Sequence, residues 1–177
     1  MKNSTSISSY ICALLISLPL LFISAATAVP STLLVQTCNK TDDDALCLSS
    51  LSSDPRSAAA GDVKTLALIE IDAITAKTNV TLDIVGKLLA NVTDPYLYRC
   101  YGLCVDTFKG ILENRIPQGI AALNSKNYAE AKEQVGDVQS DVELCLEQLA
   151  DKEPFTGGAQ LMSRLAGVAI GIINLLH

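Results

Sequence analysis

Residues 128–149 read YAEAKEQVGDVQSDVELCLEQL. Tyr128, Ala131, Val135, Val138, Val142, Cys145 and Leu149 follow one another at steps of three and four, and charged or amide side chains fill most other positions. Side chains at that spacing share one face of an α-helix. The segment therefore predicts an amphipathic helix lying nearly parallel to its partners. Three other runs carry the same period. In residues 61–92, GDVKTLALIEIDAITAKTNVTLDIVGKLLANV, the face is Ala67, Ile71, Ile74, Thr78, Leu82, Val85 and Leu89. Asp94-Pro95 opens a second run to Leu123, because aspartate caps a helix start and proline suits its first position. Pro117 is expected to kink or interrupt that helix. After a loop at Glu153–Gly158, the last run repeats Leu161, Leu165, Val168, Ile172 and Leu175.

Four long helical runs joined by short breaks specify an all-α fold, an antiparallel up-down four-helix bundle. Two shorter segments, Ser31 to Thr37 and Ala45 to Ser52, add an N-terminal helical hairpin that ends at Ser53-Asp54-Pro55-Arg56. The hairpin occupies residues 29–56 and the bundle residues 57–177. The last run is apolar on all sides, LAGVAIGIINLL, but only about twelve residues long after Arg164, where a membrane span needs about twenty. It reads as a central helix in which Gly167 and Gly171 let a neighbour approach closely.

Residues 1–28 predict a cleaved secretory signal: Lys2, an apolar core from Ile7 to Ile23, and Ala26-Thr27-Ala28 as a small-x-small exit. Pro19 and the lack of a basic cluster after the core argue against a membrane anchor. Three sequons follow, at Asn39, Asn79 and Asn91, and each is an N-glycosylation candidate if it faces solvent. Loss of Lys2 takes the formal charge from −6 to −7, which disfavours nucleic acid and anionic lipid as partners. Roughly 150 residues remain, enough for one domain with a core.

Of six cysteines, Cys12 leaves with the signal. Cys38 and Cys47 enclose CNKTDDDALC and form a natural local pair closing the hairpin. Cys145 lies on the core face of the third helix, so its partner belongs on the second, where Cys100 and Cys104 both qualify one turn apart. Metal binding is disfavoured because the single histidine is the terminal His177 and no C-x-x-C occurs. The same histidine makes a nucleophilic triad a poor reading. Carboxylates at Asp42, Asp43 and Asp44, or at Asp137 and Asp141, read as solvated faces, the first three keeping the hairpin loop soluble. No tryptophan is present to stack a sugar. A non-enzymatic binding module without cofactor is the expectation.

The chain resembles the plant invertase and pectin methylesterase inhibitor family from Thr37 to Leu176. The motifs that carry the resemblance are TCNKTDDDALCLSSLSSDPRSA, GDVKTLALIEIDAITAK, DPYLYRCYGLC, CVDTFKGILENRIPQGIAAL, NYAEAK and SDVELC. It implies a four-helix bundle with an N-terminal hairpin. By the family pattern the second bridge is Cys104–Cys145, and Cys100 is left as the free cysteine. The implied activity is to block the cleft of an acid invertase, a β-fructofuranosidase, or alternatively of a pectin methylesterase. GDVKTLALIEIDAITAK is most similar to the fructosidase-inhibitor branch. That branch shows a Pro-Lys-Phe motif at the start of the third helix. The matching positions here are Tyr128-Ala129-Glu130, and Asn127-Tyr128-Ala129 is similar to pectin methylesterase inhibitors and some vacuolar inhibitors. The candidate target contacts are Lys126, Asn127, Tyr128, Ala129 and Glu130. With the signal segment, the expectation is a secreted monomer of the apoplast or vacuole, with dimerisation through Cys100 as an alternative. A ligand carrier or a structural wall protein are the remaining readings.

Overall fold

A computed structural model describes residues 30–147, 149 and 153–177. The proposed signal, residues 1–28, lies outside these. The described residues are helical, without a strand.

Polar caps set most of the helix starts. Ser31 accepts from the Leu34 N–H to begin α1, Thr32–Cys38, and Asp43 accepts from the Leu46 N–H to begin α2, Asp44–Ser52. Asp54 and Pro55 open a 3-10 turn, Pro55–Ala59. Asp62 then caps α3, Val63–Asn91, by accepting from the Thr65 N–H at 2.7 Å. Asp94 accepts from the N–H groups of Tyr96 and Leu97 at the head of α4, Pro95–Gly110. Each such cap satisfies donors that the helix itself leaves orphaned, and stabilises by about 1 kcal/mol.

Pro117 does not break the second long helix. A π-helical turn, Ile111–Arg115, joins α4 to α5, Ile116–Asn124. In that turn the Ile116 N–H donates to the Ile111 carbonyl, five residues back. Proline has no N–H, and its ring collides with the carbonyl four residues before it in a regular helix. One wide turn inserts an extra residue ahead of it and the chain continues. α6, Tyr128–Leu146, and α7, Thr156–Ile173, complete the bundle.

The core follows the predicted faces. Ala131, Val135, Val138, Val142 and Cys145 are buried along α6, and Ala67, Ile71, Ile74, Thr78 and Val85 along α3. α7 is the central helix, packing on α3, α6 and α2. Its glycines do allow close approach. A Cβ on Gly167 would meet Gln139 Nε2 at 3.3 Å, and one on Gly171 would meet Thr41 Cγ2 at 3.0 Å. At the head of α7, Phe155 stands edge-on to Tyr101 and Phe108, with ring centroids 6.1 and 6.4 Å away.

The aspartate run in the hairpin loop does more than keep it soluble. Asp43 caps α2 and its other carboxylate oxygen accepts from the Arg164 guanidinium of α7 at 2.6 Å. That pair, with Thr41 seated on Gly171, ties the hairpin loop to the central helix.

Candidate functional site

The α5–α6 connection is a single tight corner. Lys126 N–H donates to the Leu123 carbonyl at 3.2 Å and Asn127 N–H to the Ala122 carbonyl at 2.9 Å. These paired bonds close α5 as a Schellman motif, with Lys126 in the left-handed position that glycine usually fills. Its φ is +61°, and it is the one positive-φ residue other than glycine among the described residues. Asn127 at once starts α6, its side chain accepting from the Glu130 N–H at 3.3 Å. One residue thus ends one helix bond pattern and begins the next, which fixes the corner. Lys126, Asn127 and Ala129 are exposed, and Tyr128 and Glu130 half-buried. The structure brings all five sequence-predicted contact residues together on this corner.

Two disulfides and one ion-pair bridge brace the bundle behind the corner, Cys145 lying at the other end of α6 from it. Cys104 and Cys145 are bonded across α4 and α6, and Cys38 and Cys47 across the hairpin. On the chain-entropy account the bridges, 41 and 9 residues apart in sequence, stabilise by about 4 and about 3 kcal/mol. Arg115, in the π turn, donates to Asp137 at 2.7 Å and Asp141 at 3.1 Å on α6. Sequence reading placed Asp137 and Asp141 on a solvated face. They are instead committed to this bridge, so they are no free carboxylate pair.

Cys100 is a thiol outside both bridges and is buried, 5 % exposed. Asn39, Asn79 and Asn91 all face solvent. Among the described residues no cluster of three or more metal-ligating side chains occurs, and no helix is long and apolar enough to cross a membrane. Sequence reading missed Glu70. It is fully buried on α3, and neither carboxylate oxygen has a protein partner in hydrogen-bond geometry. Burial pushes its carboxyl up from 4.5 to about 7, the Ser50 hydroxyl acting in the opposite direction. The signal available was a lone acid with Ile69, Ile71, Leu66 and Ala67 around it in the helical pattern.

The described residues thus form a disulfide-braced helical bundle with a hairpin appendage and an exposed inter-helix corner. The chain belongs to the plant invertase/pectin methylesterase inhibitor family, which it matches over residues 32–172. It is similar to the cell wall / vacuolar inhibitor of fructosidase 1 of Arabidopsis thaliana, with 31% identity over 77% of this chain and 65% of that one. It is also similar to the pectinesterase inhibitor of Actinidia deliciosa, 34% identical over 63% of this chain and 62% of that one. The matches thus span less than two thirds of those relatives. A crystal structure of a mutant pectin methylesterase inhibitor from Arabidopsis superposes with a TM-score of 0.69 at 21% identity, covering 83% of this chain and 99% of that one. A second pectin methylesterase inhibitor structure, from Arabidopsis thaliana, gives 0.62 at 20% identity over 84% and 99%. At such identities the structures speak for the fold alone.

Proposed function

We propose that this protein is a secreted inhibitor that occludes the active-site cleft of a plant acid invertase, presenting the Lys126–Glu130 corner to it. The relative named as an inhibitor of fructosidase, matched over 77% of this chain, carries the reading. The corner supplies the means. A contact surface fixed before binding loses little conformational entropy on association, and the Schellman closure and the Asn127 cap fix this one. Catalysis is not part of the proposal, and Asp137 and Asp141 serve Arg115.

A second reading takes a pectin methylesterase as the target. The 34% identical pectinesterase inhibitor favours it, as does Asn127-Tyr128-Ala129 standing where the invertase-inhibiting branch shows Pro-Lys-Phe. The protein is proposed to act as a monomer in the apoplast or vacuole. Burial of Cys100 disfavours a thiol-linked dimer, and exposed Asn39, Asn79 and Asn91 are open to glycans. The test is direct. The purified chain is mixed separately with an acid invertase and with a pectin methylesterase, and residual activity is titrated. Stoichiometric loss of invertase activity supports the first reading, loss of esterase activity alone the second, and loss of neither defeats both.

A further inference from the structure

Glu70 lies where the hairpin meets the bundle. Ala73 and Lys77, on its own face of α3, line a groove with Ser49 and Ser50 of α2, and the Ser50 hydroxyl reaches toward the Glu70 carboxyl. An ionised carboxylate sealed there has no donor in hydrogen-bond geometry beyond what a turn of the Ser50 hydroxyl would supply. No cation among the described residues lies within ion-pair distance of it: Lys77 is two turns further along α3 and forms no ion pair with it, and the charged groups on the elements packed against α3 are engaged or exposed elsewhere. Asp44 of α2 is exposed, and Arg56 of the 3-10 turn is held by Asp54 and Asp72. On α4, Arg99, Asp106 and Lys109 are exposed, while buried Tyr101 donates to Glu153. In the π turn Glu113 is exposed and Arg115 is bound to Asp137 and Asp141; Arg164 of α7 is bound to Asp43. Tyr96 and Cys100, near the start of α4, act on each other, and α1 and α5 carry no free ionisable side chain. A buried, unpaired carboxylate is costly, whereas the neutral acid can donate to a hydroxyl such as that of Ser50.

We propose that the hairpin is seated on the bundle over an un-ionised Glu70, which makes the seat a proton-sensitive latch, closed in acid and slackened near neutral pH. The sign follows from linkage. The folded state holds this proton at a pH where the unfolded chain has lost it, so the contribution is complete below about pH 4.5 and is lost as pH rises through about 7. Nothing in this inference depends on which enzyme the protein inhibits, and its test does not use inhibition.

The test follows the intact protein with both disulfides from pH 4.5 to 8 by thermal melting and by hydrogen exchange corrected for intrinsic rates. Wild type is expected to lose roughly 5–10 °C of melting temperature across this range. Protection is expected to fall in residues 44–58 before it falls in α6. Glu70→Gln and Glu70→Met, two variants in case one fails to fold, are expected to show no such step. A wild-type profile flat over this range overturns the latch. So does a step that survives in either folded variant, or a protection loss that is uniform over hairpin and bundle.

Discussion

Lys126 adopts a backbone conformation that costs a residue with a side chain about 1–2 kcal/mol, and glycine would adopt it freely. Nothing in the fold requires a lysine there, and its side chain is exposed on the proposed contact corner. Lys126→Gly is therefore expected to raise stability by about 0.5–1 kcal/mol, read as a higher urea midpoint at unchanged slope. The same change is expected to weaken inhibition of the target about tenfold or more. A variant that is both more stable and equally inhibitory would remove the corner from the contact surface. Two glycines make the converse case. A Cβ on Gly86 meets nothing within 4 Å, so Gly86→Ala in mid-helix is expected to stabilise by about 0.5–1 kcal/mol. At Gly171 a leucine would drive into Thr41, and Gly171→Leu is expected to cost about 1–3 kcal/mol. Paired denaturation curves check both.

At the level of elements, the two bridges are expected to fail differently. Removing Cys104–Cys145 with paired serines is expected to cost about 4 kcal/mol and to loosen α4 from α6 within the bundle that carries the corner. Removing Cys38–Cys47 costs about 3 kcal/mol and acts on the hairpin, so inhibition by the folded fraction is expected to survive. Titrating the active fraction at a temperature where each variant is folded separates the two. The elements themselves were legible because burial writes a period into sequence. Val135, Val138 and Val142 announce α6, and Asp94-Pro95 announces α4. Pro117 was legible only as a disturbance. Whether a helix kinks or widens into a π turn depends on the packing of its flanks, which local propensity does not encode. The proposed contact corner could be located only through the family resemblance, by counting back from Cys145 to the Pro-Lys-Phe positions. Its left-handed backbone could not, because glycine is the usual signal for that conformation and lysine gives none. The partners of Asp43 and Arg115 lie 121 and up to 26 residues away, beyond any local pattern.

For the molecule as a whole, three carboxylates bear on acid stability in the sense opposite to Glu70. Asp43 is held below its ordinary value by the Arg164 guanidinium, Asp54 by that of Arg56, and Asp62 by the Thr65 N–H; the first two are half-buried and the third exposed. Their depressed folded values stabilise above the ordinary carboxylate range, and that stabilisation is lost as pH falls below about 4. Stability is thus expected to peak in mild acid, and the limb below the peak should weaken with added salt. Inhibition adds a second proton-linked effect. The chain is acidic, with a formal charge of −6, and a glycosidase cleft carries its own carboxylate pair. If carboxylates of the contact surface such as Glu130 meet that pair, like charges stand face to face at neutral pH, and proton uptake near pH 5 relieves this. Inhibition of an acid invertase is therefore expected to tighten several-fold from pH 7 to pH 5. The Glu70→Gln protein tells the two origins apart. If repulsion at the contact is the cause, the variant tightens as wild type does. If it is inhibition-competent but no longer responds to pH, the dependence belongs to the scaffold, and the proton sensed lies at the hairpin rather than at the enzyme. A wild-type inhibition constant unchanged between pH 5 and pH 7 would reject the electrostatic account at the contact, whatever the melting curves show.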